Sequence, residues 1–79
     1  MKRSLFDEVV AGLVLPEPAE MEALLVAAGV SCRRLSLEMR RHPVTVWRWI
    51  HGKRRPQGDD LALLLAHLFV IESALKEFG

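Results

Sequence analysis

The sequence predicts an all-α fold, a compact bundle of about five helices forming a single domain over residues 1–79. Three observations lead there. Apolar residues recur at the three- and four-residue spacing of amphipathic helices along most of the chain. Prolines and glycines (Pro16, Pro18, Gly29, Pro43, Gly52 and Gly58) fall between those periodic runs, where helices start and stop. The 79 residues, half of them apolar and about a quarter charged, suffice for one small globular core.

Residues 1–15 read as an amino-terminal helical arm. Leu5, Phe6, Val9, Val10, Leu13 and Val14 make its apolar stripe, and Ser4 with Asp7 resembles a capping box. Pro16-Glu17-Pro18 breaks that helix, because proline lacks the amide donor and biases its predecessor toward extended backbone. The next helix is predicted from Pro18 or Ala19 to Ala28, with Glu20 and Glu22 near its amino end, Gly29 after it, and Met21, Leu24, Leu25 and Ala28 inward. Ser31 is a good N-cap for a short helix over Cys32 to Met39 that turns Leu35 and Met39 inward.

Pro43 suits a first helical position, and Val44 to His51 reads as another short helix closed by Gly52. Its two faces differ. Val46, Trp49 and Ile50 form a stripe to pack on Leu35 and Met39, while Val44, Trp47, Arg48 and His51 share the opposite side. An arginine, an imidazole and a large ring are more than solubility requires, so this side reads as a contact face. The last helical region covers residues 59–78, with Asp59 or Asp60 available as cap. Leu61, Leu64, Leu65, Leu68, Ile71 and Leu75 suit the core, but Leu63, Phe69, Val70, Ala74 and Phe78 exceed what one small core covers. A homodimer is therefore expected, with the arm or the carboxyl-terminal helix as the partner surface. One cysteine permits no internal disulfide to stabilise the domain instead.

The net charge of +1 hides a strong segregation. Between Ser31 and Pro56 eight basic residues stand against the single acid Glu38, whereas the remainder carries three basic and nine acidic residues. A basic third beside an acidic remainder is the pattern of a surface that meets a polyanion. Met1-Lys2-Arg3 is followed by a run broken by acids and prolines, so no secretory leader is expected. Leu61 to Ile71 is too short, with His67 inside it, to span a membrane. A cytoplasmic location follows as the expectation.

The segment from Val30 to Pro56 resembles the helix-turn-helix of Cro-type and lambda-repressor-type regulators, the XRE family. The resemblance rests on Val30-Ser31 leading into the first helix, the small Ser36 where two helices approach, and apolar Leu35, Met39, Val46 and Trp49. It continues through Trp49-Ile50-His51-Gly52-Lys53-Arg54-Arg55-Pro56 and covers Glu20 to about Val70. It places the helix-turn-helix at residues 31–52 and implies a lambda-repressor-like domain. The chain departs from the family at Cys32 for a common glutamine, Arg40 for the turn glycine, Arg41 for an apolar turn residue, and His42 for a better N-cap. A non-glycine residue at the left-handed turn position costs about 1 kcal/mol.

The resemblance implies sequence-specific binding to double-stranded DNA by a repressor or autorepressor that occupies an inverted-repeat operator as a homodimer. The major groove admits one helix. By resemblance, His42, Pro43, Val44, Trp47 and Arg48 face the bases, with Arg48 suited to a bidentate contact to guanine and Val44 or Trp47 to a thymine methyl. Thr45, His51, Lys53, Arg54 and Arg55 suit phosphates, and Cys32 and Arg33 can offer free amides to another. A phage repressor, an antitoxin, a restriction-modification controller and an anti-CRISPR-associated regulator fit equally.

A second reading, from another class, is a protein-interaction adaptor. It would use the Val44/Trp47 face and the apolar carboxyl-terminal helix, with the arginines merely solubilising. Neither an enzyme nor a cofactor is expected, since no serine, histidine and acid constellation or glycine-rich phosphate cradle is present. His42, His51 and His67 do not pair at helical spacing, so no metal site is expected. Cys32 beside two arginines raises the further alternative of a lowered thiol pKa, against a plain small residue at a helix start.

Overall fold

The computed structural model describes residues 14–78, and within them the chain folds into helices joined by short turns, with no strand. Four helices follow in order: α1 (Pro18–Ala28), α2 (Cys32–Met39), α3 (Pro43–Ile50) and α4 (Asp59–Phe78). They enclose one core, and the Cα radius of gyration is 13.0 Å. The fifth helix expected over the arm falls mostly outside the described residues. Its last two positions, Val14 and Leu15, are not helical, consistent with the extended bias that Pro16 places on Leu15.

Local chemistry explains the helix boundaries. Pro18 occupies the first turn of α1, where its missing amide loses nothing. Ser31 Oγ accepts from the Arg34 amide at 3.1 Å and caps α2. His42 caps α3 through Nδ1, which accepts from the Val44 amide at 3.2 Å. Neither aspartate caps α4. Gly58 precedes the helix with a left-handed φ of 57°, and Asp59 and Asp60 lie within its first turn, where their charge favours the amino end of the helix dipole.

Among the described residues three turns close with the same pair of backbone bonds, in which a residue just past the helix (the next one after α1 and α2, the second after α3) takes a left-handed conformation and two amides reach back to the last-turn carbonyls. After α1 these are Gly29 to Val26 at 3.1 Å and Val30 to Leu25 at 2.9 Å. After α3 they are Gly52 to Trp49 at 3.3 Å and Lys53 to Arg48 at 2.8 Å. After α2 they are Arg40 to Leu37 at 3.2 Å and Arg41 to Ser36 at 2.9 Å, with Arg40 at φ 55° in a place that glycine fills in the other two. Gly52 is required twice over. Its φ is 73°, and a Cβ there would lie 2.8 Å from Pro18 Cγ.

Met21 and Leu25 of α1, Leu35 and Met39 of α2, Val46, Trp49 and Ile50 of α3, and Leu61, Leu64 and Leu68 of α4 form the buried set. Each such side chain contributes about 1.5–3 kcal/mol on burial. Ser36 is wholly buried, and its hydroxyl donates to the Arg33 carbonyl at 2.6 Å. A small side chain bonded to its own helix leaves room for α3 to lie close. Leu24 is half-buried against the same core, as are Leu63 and Ile71, whereas Phe69, Val70 and Phe78 project into solvent. Among the described residues no helix is long and apolar enough to cross a membrane.

Candidate nucleic-acid interface

Helix α3 separates its residues as the angular spacing predicts. Val46, Trp49 and Ile50 point into the core, fixing the rotation of the helix, so Val44, Trp47 and Arg48 must face outward. Val44 is 47% exposed and Trp47 45%, values high for residues of their size. The expected outward face therefore exists as a surface. His51, expected on it too, is half-buried and stacks under Trp47, with ring centroids 4.3 Å apart and planes 19° from parallel. Its Nδ1 lies 2.9 Å from the Trp47 carbonyl, which can only accept, so Nδ1 carries a proton. Its Nε2 lies 3.9 Å from Glu22 Oε1 on α1. These contacts hold the Trp47 ring from below.

The amino end of α2 adjoins that face. Cys32, Arg33, Pro43, Val44 and Trp47 line one shallow, mainly apolar depression, which unites residues expected at bases with two expected at a phosphate. His42 opens α3 beside them. Because its Nδ1 is the capping acceptor, a neutral His42 carries its proton on Nε2. The Cys32 thiol is pushed up from its ordinary value by burial and, secondarily, by the charge of Glu22. A raised pKa removes the alternative of an activated thiol, and Cys32 remains a small neutral residue at a helix start.

Beyond α3 the loop to α4 carries Lys53, Arg54 and Arg55, all exposed, and is anchored by the buried Pro56. Arg54 and Arg55 share a polar cleft with Thr45, Trp49, Gln57 and Asp60. Thr45, Arg54 and Arg55, assigned to phosphates, are thus brought together. Cys32 and Arg33 belong to the other depression, and His51 sits behind Trp47. Among the described residues no side-chain hydrogen bond or ion pair holds Arg48, Lys53, Arg54 or Arg55, so their donors remain available to a ligand.

Arg41 behaves differently from the other basic residues of the segment. Its Nε donates to Asp60 Oδ1 at 2.7 Å, and a second guanidinium nitrogen lies 3.3 Å from the Arg40 carbonyl and 3.5 Å from that of Met39. The bond joins the α2–α3 turn to the first turn of α4. Sequence reasoning read Asp60 only as a cap, and nothing in helical spacing relates residues so far apart in the chain. Gln57, in the polar cleft, was also missed, since a lone glutamine in a basic loop carries no distinguishing pattern. No protein-family model, curated protein or solved structure matches the chain.

Proposed function

We propose that this chain is a small transcriptional repressor that binds double-stranded DNA sequence-specifically, with α2, the turn and α3 acting as a helix-turn-helix of the Cro/lambda-repressor kind. The observation that carries the reading is the division of α3. One side is locked into the core, and the other presents Val44, Trp47 and Arg48 within a segment whose eight basic side chains are all exposed. A helix so oriented can enter the major groove. Arg48 reads guanine, Val44 and the Trp47 ring meet thymine methyls, and the outward nitrogen of His42 donates to an acceptor on a base edge. Thr45, Arg54 and Arg55 take phosphates on one flank, with Lys53 beside them, while Cys32 and Arg33 take one on the other.

The exposed, adjacent Phe69 and Val70 of α4 are the surface through which two copies pair, placing their α3 helices about 34 Å apart on an inverted repeat. The same exposed apolar residues favour the competing reading of a protein-interaction adaptor. Salt separates the two. DNA binding through about six phosphates loses roughly 10³-fold in affinity between 50 and 200 mM salt, whereas an apolar protein interface does not. Selecting fragments from a random duplex pool should return a palindromic consensus. On that site Arg48→Ala should relax preference at one base position, a loss of about 1–3 kcal/mol of discrimination, and Arg55→Ala should weaken every duplex alike. A protein that retains no duplex at low salt refutes the proposal.

A further inference from the structure

We infer that Arg41 and Asp60 form a positioning clamp that sets how α3 is presented, so that Asp60, an acidic residue beside a polyanion surface, supports recognition instead of opposing it. The inference rests on the proposed DNA reading and extends it to a residue outside the contact face. Of the three helix ends built on a left-handed residue among the described residues, only the one between α2 and α3 lacks glycine. Arg40 is held at φ 55° and ψ 44° there, a conformation that costs an L side chain free energy and favours relaxation of the turn. The following residue carries the compensation. The Arg41 guanidinium reaches the carbonyls of Met39 and Arg40, at the carboxyl end of α2, while its Nε is held at 2.7 Å by Asp60 on α4.

Asp60 is itself anchored on two sides. It belongs to the first turn of a 20-residue helix whose Leu61 and Leu64 are buried, and its amide donates to Gln57 at 3.1 Å. The clamp therefore ties a strained turn to the longest rigid element described. Helices α2 and α3 bury Ser36 and Val46 between them and the core, and among the described residues the Arg41–Asp60 pair is the one ion pair that joins the turn itself to α4. Asp60 also borders the cleft of Thr45, Arg54 and Arg55, so its charge and its positioning role pull DNA affinity in opposite directions.

That opposition makes the inference testable with Asp60→Asn. Charge alone predicts that removing a carboxylate beside phosphate-binding groups tightens binding to every duplex. The clamp predicts a loss of discrimination between the selected site and a scrambled duplex, about threefold to fivefold for a solvent-exposed pair of this kind. Arg41→Gln should lose a similar factor, the double variant no more than either single one, and Asp60→Glu should restore part of it. Circular dichroism of each variant registers whether the helices remain. Uniform tightening on Asp60→Asn, or additive losses in the double variant, overturns the clamp while leaving DNA recognition standing. A wild-type chain that binds no duplex overturns both.

Discussion

Among the described residues Arg40 is the one non-glycine with a positive φ, a departure from low-energy backbone. The left-handed conformation places its Cβ too near a carbonyl oxygen, and glycine avoids that contact. Arg40→Gly should therefore raise the unfolding free energy by up to about 1 kcal/mol, measurable as a rise of the denaturant midpoint at constant slope. Unchanged stability would mean that the turn is not strained. His42 illustrates a different compromise, for an imidazole is a weaker cap than serine or aspartate, yet here it both accepts from Val44 and keeps an outward donor.

At the scale of elements, the placement of α3 depends on loops as much as on its own core face. Gly52 lets the chain leave α3 while passing against Pro18 at the start of α1, so the two helices are fixed at a shared corner. Gly52→Ala should destabilise the domain by about 1–2 kcal/mol, the backbone penalty plus displacement of Pro18, and a thermal melt shifted down by several degrees would register it. Gly29→Ala is the control, having the same sign of φ but open space around the added methyl. A smaller loss there would separate the steric contact from the backbone term. The boundaries of α1, α2 and α3 were legible to within a residue because caps, prolines and glycines are local signals. The clamp at Asp60 was not, because an ion pair between distant segments leaves no periodic trace.

For the whole molecule, the described residues bury one core and leave Phe69, at 71% exposure, and Phe78, at 85%, on the outside of α4. Under the proposed function Phe69 belongs to the pairing surface of a homodimer, since large exposed apolar groups mark contact sites. The chain should sediment as a dimer at micromolar concentration. Phe69→Glu should convert it to a monomer without lowering its melting temperature at low concentration, since that side chain contributes little to the subunit core. A wild type that sediments as a monomer would remove the dimer from the proposed function and leave single-site DNA contact.

The amino-acid order alone determined the helical class, the capped ends of α1 to α3 and the two faces of α3, since each depends on residues within one or two turns of each other. It also placed eight positive charges in one third of the chain. Which of those charges remain available was decided by the tertiary fold, as Arg41 is tied to Asp60 while Arg48, Lys53, Arg54 and Arg55 are not. So was the seating of His51 under Trp47 with Glu22 behind it, and the meeting of Cys32 and Arg33 with the face of α3. Local bonding follows from neighbours along the chain; partners from separate helices follow only from how the core packs.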